Sequence, residues 1–205
     1  MMTVNQKPAV RVRINPAAIA LKKRGASDRD LNRCFVPAIL EQAPQESDSP
    51  DLRRARELAP FLREMDYLFD IHATSSPSDP FVCFGEDSPR HRELYRLIPV
   101  KDILTDPYNI LGKDSGLESL PTTDSCVNNA GGIALCYETG LETDLTKVPE
   151  ALLVVSRLLR HVGNVTDAFL KEAFQVELAE PEQILQKIHA LTDCFLARLD
   201  GFRYE

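Results

Sequence analysis

Three short stretches of this chain gather side chains able to do chemistry: "RDLNRCF" at 29–35, "FDIHATSS" at 69–76 and "IALCYETG" at 133–140. In the second, Asp70 stands two residues before His72 at the end of an apolar run, and residues i and i+2 of a strand share a face. A carboxylate beside an imidazole fixes its tautomer and raises its basicity, which suits a metal ligand. The plainer reading is a hydrogen-bonded structural histidine. In the third stretch Glu138 closes an apolar strand, where apolar walls would raise its pKa toward that of a general base. The alternative is a strand-end glutamate that caps a helix or pairs with an arginine. Around the first stretch, Lys22, Lys23, Arg24, Arg29 and Arg33 form a local basic cluster fit to grip a carboxylate. A helix end with lysines offsetting its dipole is enough to explain Lys22 and Lys23.

The elements that must position these residues read as strands alternating with helices. "AVRVRI" (9–14) has the period-2 pattern of a strand, and "NPAAIALKKR" opens a helix with Asn15 as cap and Pro16 at the first position. Residues 36–50 read as an exposed connection, and "SPDLRRARELAPFLREM" as a helix. "DYLFDIHA", "FVCF", "VKDIL" and "IALCYE" have strand length, whereas "SPRHRELYRLI" and "VPEALLVVSRLLRHV" read as helices. The polar, Gly- and Pro-punctuated segment 105–132 reads as a long functional loop. The pattern predicts an α/β fold with a mixed, largely parallel sheet flanked by helices, and a helical appendage at the C-terminus. Residues 1–164 are expected to form the catalytic-type domain and 165–205 an amphipathic helical extension. Active sites of such sheets lie beyond the carboxyl ends of strands, where Asp70, His72 and Glu138 fall.

A net charge of −7 disfavours a nucleic-acid partner. Cys34, Cys83, Cys126, Cys136 and Cys194 are odd in number and never form C-x-x-C, the usage of reduced thiols in a cytoplasmic protein. The N-terminus lacks the apolar core of a signal peptide, and "ALLVV" at 151–155 is too short to span a bilayer, so no membrane partner is expected. There is no G-x-S-x-G, no phosphate-binding glycine loop and no G-x-G-x-x-G. No second histidine stands in a triad relation to Thr74, Ser75 or Ser76, which argues against a serine hydrolase.

Taken in order, "NPAAIALKKR…DRDLNRCF", "FDIHATSS" and "ALCYETG" resemble the succinylglutamate desuccinylase/aspartoacylase family over residues 15–140. The resemblance implies a zinc carboxypeptidase-like fold and Zn2+-dependent hydrolysis of an amide in an N-acyl amino acid or similar carboxylate-bearing small molecule. It further implies His72 as a zinc ligand with Asp70 behind it, Asn32 and Arg33 as a substrate-binding pair, Arg24 as the arginine that polarises the carbonyl, and Glu138 as the general base. One extra residue separates Arg24 from Asp30 relative to the family pattern.

Two departures accompany it. The family's other zinc ligands come from an H-x-x-E motif upstream of the "NP" segment. Here the fourteen residues before Asn15 contain neither histidine nor glutamate, and His91 with Glu93 has the wrong spacing to replace them. The aspartoacylases' substrate-gripping arginine falls near Asn128, which speaks against N-acetylaspartate as substrate. These departures fit either an incomplete piece of a zinc hydrolase or a short, metal-free carboxylate-binding or structural module derived from one. A homo-oligomer built on the helices after residue 164 is compatible with either.

Overall fold

A computed structural model describes residues 14–27, 30–84, 87–114, 120–163, 165–179 and 184–192. Most of the strand expected over 9–14, Arg29, Pro181 and the stretch from 193 onward lie outside these residues.

Among the described residues five strands form one sheet: β1 (Tyr67–Thr74), β2 (Phe81–Phe84), β3 (Asp102–Thr105), β4 (Ile133–Leu141) and β5 (Lys187–Ala190), in the order β1-β4-β2-β3-β5. The β1–β4, β2–β3 and β3–β5 pairs are parallel, and β2–β4 is antiparallel. The mixed, largely parallel sheet expected from the alternating pattern is therefore present.

Among the described residues eight α-helices accompany it: α1 (Pro16–Leu21), α2 (Pro37–Leu40), α3 (Pro50–Arg63), α4 (Pro89–Tyr95), α5 (Ile110–Asp114), α6 (Thr123–Asn129), α7 (Val148–His161) and α8 (Asp167–Phe174). A 3-10 turn, Leu31–Arg33, capped by Asp30, carries the D-L-N-R residues. α1 begins as its sequence dictates, with Asn15 accepting from the Ala18 backbone and proline in the first turn. α3 does likewise, with Ser49 accepting from the Leu52 backbone.

Each face of the sheet buries its own apolar cluster. Val82, Ile103, Leu135 and Tyr137 point toward α4 and α7, against Leu94, Ile98, Val154 and Leu158. Phe69 stacks on Tyr137 from the neighbouring strand, with ring centroids 6.1 Å apart. On the opposite face Ala134 joins Leu52, Leu58 and Leu62 of α3 with Cys126 and Val127 of α6. Side chains alternate along a strand, so Cys136 and Glu138 share the face of Ala134. α3 and α6 cover only the start of that face, and its carboxyl end is left as the floor of a cavity.

Two expectations need correction. Residues 105–132 are not loop throughout, because they hold α5 and α6. α6 is only seven residues long and its apolar contribution is confined to Cys126 and Val127, too few turns to display a helical period. After 164, the described residues are helical only in α8. Lys187–Ala190 is an edge strand, held by Lys187 N–H donating to Lys101 O at 2.7 Å and Leu191 N–H to Thr105 O at 2.8 Å. The Gln186 amide also donates to the Tyr95 and Ile98 carbonyls at the end of α4. Pairing with β3 thus overrides a composition that favours helix. The 36–50 connection is also less free than its polarity suggests, because Arg56 of α3 bonds to Asp48 and to the Leu40 and Gln42 carbonyls.

Candidate active site

The strand register assembles one half of the site. Asp70 stands opposite Cys136, and His72 opposite Glu138, in the β1–β4 ladder. Cys83 stands opposite Cys136, and Phe81 opposite Glu138, in the β2–β4 ladder. Residues that face each other across a ladder project from the same side, so these six share one face of the sheet, and all but Asp70 line the cavity. Immediately afterwards the register slips, with Thr74 opposite Leu141, which marks a bulge in β4. Gly140 lies there at φ +99°, and a side chain on it would meet the Ser78 carbonyl oxygen at 2.9 Å. The "ETG" glycine therefore sits in the bulge that interrupts the ladder just past Glu138.

His72 Nε2 lies 3.2 Å from Asp70 Oδ1. That hydrogen bond raises the imidazole pKa against the opposing effect of burial. Burial alone would raise the Asp70 carboxyl, but hydrogen bonds from His72 and Thr123 outweigh it and hold the group below its usual range. A neutral His72 that gives its Nε2–H to Asp70 keeps the Nδ1 lone pair for another partner. Burial raises the Glu138 carboxyl, while the charges of His72 and Arg24 work against that rise. Glu138 Oε2 is buried and has no hydrogen-bond partner among the described residues. An orphaned carboxylate oxygen is costly in a folded protein and is the kind of atom a cation or a reacting proton satisfies. One donor atom each from His72, Cys136 and Glu138 lie within 4.8 Å of one another.

Side-chain hydrogen bonds assemble the other half. Asp51, buried in the first turn of α3, accepts from Asn15 Nδ2 at 2.6 Å, the Ala26 backbone at 3.1 Å and Ser27 Oγ at 2.5 Å. The segment between α1 and the D-L-N-R turn is pinned to α3 by this one carboxylate. Arg24 in that segment donates from Nε to Asp30 Oδ2 at 2.6 Å, and this bond raises its pKa further. Asp30 also caps the turn by accepting from the Asn32 backbone at 3.0 Å. Arg33 Nη1 donates to the Asn32 carbonyl at 2.7 Å.

Thr123 joins the two halves, and sequence reasoning missed it. Its backbone N–H donates to Asn32 Oδ1 at 2.9 Å, and its hydroxyl donates to Asp70 Oδ2 at 2.5 Å. The D-L-N-R turn is thereby tied to the D-x-H strand through residues far apart in sequence.

The two halves meet around a cavity of about 370 Å3. Arg24, Asn32, Arg33, His72 and Glu138 line it, and Asp70 sits behind His72. Phe81, Leu104, Leu111, Leu120 and Leu191 give it an apolar wall. Cys136 and Cys83, noted in the sequence only as scattered thiols, are also in the lining, and both are free. The i, i+2 spacing of Cys136 and Glu138 was the available signal for the first. His91 and Asn128 lie elsewhere: Asn128 Oδ1 accepts from the Ala134 backbone at 2.8 Å and lies 3.3 Å from His91 Nε2, a structural contact.

Comparison with known proteins extends this geometry. Residues 4–161 match the model described as the succinylglutamate desuccinylase/aspartoacylase catalytic domain. Among curated proteins, an N-acyl-aromatic-L-amino acid amidohydrolase (carboxylate-forming) from Xenopus laevis is 40% identical over 53 residues, 24% of this chain and 17% of that protein. Among solved structures, murine aminoacylase 3 superposes with a TM-score of 0.57 at 24% identity, covering 73% of this chain and 50% of that one. A succinylglutamate desuccinylase/aspartoacylase from Rhodobacter sphaeroides gives 0.55 at 20% identity, covering 73% and 43%. The chain thus spans half or less of the length of these relatives, and at these identities the solved structures speak for the fold.

Proposed function

The chain belongs to the succinylglutamate desuccinylase/aspartoacylase family, with its zinc carboxypeptidase-like fold, and from that premise we propose that it serves hydrolysis of the amide bond of an N-acyl amino acid. The observation that carries this reading is the Glu138 carboxylate, buried with one oxygen unpartnered among the described residues and placed opposite His72 at the carboxyl end of β4. One feature of the lining suits a cation such as zinc: His72 has an uncommitted Nδ1 once Nε2 serves Asp70, it stands near the Glu138 carboxylate, and it would hold the ion. When bound, zinc supplies a positive charge that acidifies water and polarises the amide carbonyl.

The chain's own residues would perform the rest. Glu138 takes a proton from the attacking water on its free oxygen and returns it to the departing amine, a cycle favoured by a pKa that burial raises above the ordinary carboxylate value. Arg24, held by Asp30 at the cavity edge, places its guanidinium where it can stabilise the developing oxyanion. Arg33 and the Nδ2 of Asn32, whose Oδ1 is engaged by Thr123, hold the substrate carboxylate. The apolar wall of Phe81, Leu104 and Leu111 suits a bulky apolar side chain, consistent with the aromatic substrates in the name of the Xenopus laevis relative. The site is expected to act on a soluble small molecule, and among the described residues no helix is long and apolar enough to cross a membrane.

The test is Glu138→Gln, assayed for turnover on N-acyl aromatic and N-acyl aspartate substrates alongside bound zinc. Turnover should fall roughly 10²- to 10⁴-fold with zinc content unchanged. Unchanged turnover overturns the base assignment.

A further inference from the structure

Within the cavity, the thiol of Cys136 has no part in the proposed reaction, yet it sits at the centre of its floor. Its ladder neighbours are Asp70 on one side and Cys83 on the other, and Glu138 follows two residues later on the same face. Its sulfur lies within 4.8 Å of donor atoms on both His72 and Glu138. The side chain is buried, and it is hydrogen-bonded to Cys83. A buried cysteine packed against apolar neighbours is ordinary, but this one faces an imidazole and a carboxylate oxygen without a hydrogen-bond partner.

We propose that Cys136 is a metal ligand, its sulfur and His72 Nδ1 together forming the sheet-borne part of a thiolate-containing site for a divalent cation of zinc's class. The inference rests on the reading that the cavity holds a metal, and it assigns a ligand that the D-x-H, D-L-N-R and E-T-G motifs do not supply. The chemistry is suitable: imidazole nitrogen and thiolate sulfur are the pair that borderline cations such as zinc and cobalt select over magnesium or calcium. On binding, the Cys136 S–H bond breaks, its proton leaves to water, and the sulfur donates a lone pair to the cation; no electron changes hands. Cys83, opposite on β2, keeps a thiol able to donate to the Cys136 sulfur and steady it. Glu138 remains within reach of the cation while retaining its proton-transfer role.

Cobalt(II) is the probe, because a bound thiolate gives a charge-transfer band in the near ultraviolet that nitrogen and oxygen ligands do not. The protein is stripped with a chelator and titrated with cobalt(II) under reducing conditions. The expected result is saturable binding with that band, loss of the band and at least tenfold weaker binding in Cys136→Ser, and retention of both in Glu138→Gln. Saturable binding by the wild type without the band overturns the Cys136 assignment and leaves the metal reading intact. A band that survives in Cys136→Ser also overturns it, because another cysteine is then the source. Failure of the wild type to bind cobalt(II) at all overturns the metal reading and this inference with it. The wild-type spectrum is informative by itself, so the test does not depend on the variant folding.

Discussion

The two sides of the cavity are held in place by different physics. On the sheet side, Asp70, His72, Cys136 and Glu138 occupy two same-face rungs of one parallel ladder, and backbone pairing sets which of them stand side by side. On the other side, Arg24, Asn32 and Arg33 lie on an irregular segment with a 3-10 turn, and side-chain hydrogen bonds to Asp51, Asp30 and Thr123 position them. A ladder fixes geometry redundantly, through many equivalent backbone bonds. A loop anchored by single carboxylates has no such redundancy, so its placement should fail one residue at a time.

The largest effect that separates the two sides should come from Asp51→Ala. Three donors, Asn15 Nδ2, Ala26 N–H and Ser27 Oγ, would lose their shared acceptor, at a cost of about 2–3 kcal/mol. Chemical denaturation should report that loss, and the KM for the acyl amino acid should rise as Arg24 is released. Hydrogen exchange should show β1 and β4 protected as before. The pH dependence has a definite sign. Burial alone would raise the Asp51 carboxyl, but hydrogen bonds from Ser27, Ala26 and Asn15 hold it below the ordinary range. A depressed folded-state pKa contributes stability that is fully present above the unfolded value of about 3.9, and that is lost as pH falls through the folded value. The stability gap between wild type and Asp51→Ala should therefore be full at neutral pH and narrow below about pH 4. A gap independent of pH would mean that Asp51 acts through packing alone.

The same contrast explains what the sequence made legible. The strands over 67–74, 81–84, 102–105 and 133–141 were readable because each is a short apolar run bounded by polar or turn residues. Strand alternation placed Asp70 with His72 and left Glu138 at a strand end. The partnership of Cys136 with His72 was not readable, because it depends on which strands are neighbours and in what register, and β4 inserts between β1 and β2. β5 was hidden by its setting: four residues inside a helix-favouring composition become a strand only because β3 offers an open edge. On the loop side the motif residues were legible by resemblance, but their supports were not. Asp51 reads as an ordinary first-turn acid of a helix, and Thr123 lies in a segment with no regular period.

A smaller and more selective effect is expected from Thr123→Val, which cuts the bridge between the two sides. Valine keeps the shape and the backbone N–H, so the shorter of the two Thr123 bonds to Asn32 Oδ1, at 2.9 Å against 3.3 Å for the hydroxyl, should persist and KM should change little. The hydroxyl bond to Asp70 Oδ2 is lost, leaving His72 less firmly oriented. Removal of such an outer support typically weakens metal affinity or activity 10- to 100-fold, so kcat should fall by roughly that factor. A rise in KM with kcat intact would place Thr123 on the loop side instead.

The finest division is between Ser49 and Asp51, two residues apart at the start of the same helix. Ser49 Oγ accepts from the Leu52 backbone at 3.2 Å, and Ser49 is not among the residues that line the cavity. Ser49→Ala should cost about 1 kcal/mol, the usual value of an N-cap serine, and should leave KM and kcat as they are. α3 itself is retained in both variants, since Leu52, Leu58 and Leu62 keep it packed on the sheet face. If Ser49→Ala disturbed KM as strongly as Asp51→Ala, then any fraying of the α3 start would reach Arg24. The placement of the loop would then be a property of the helix end as a whole, and no longer of the one carboxylate that grips it.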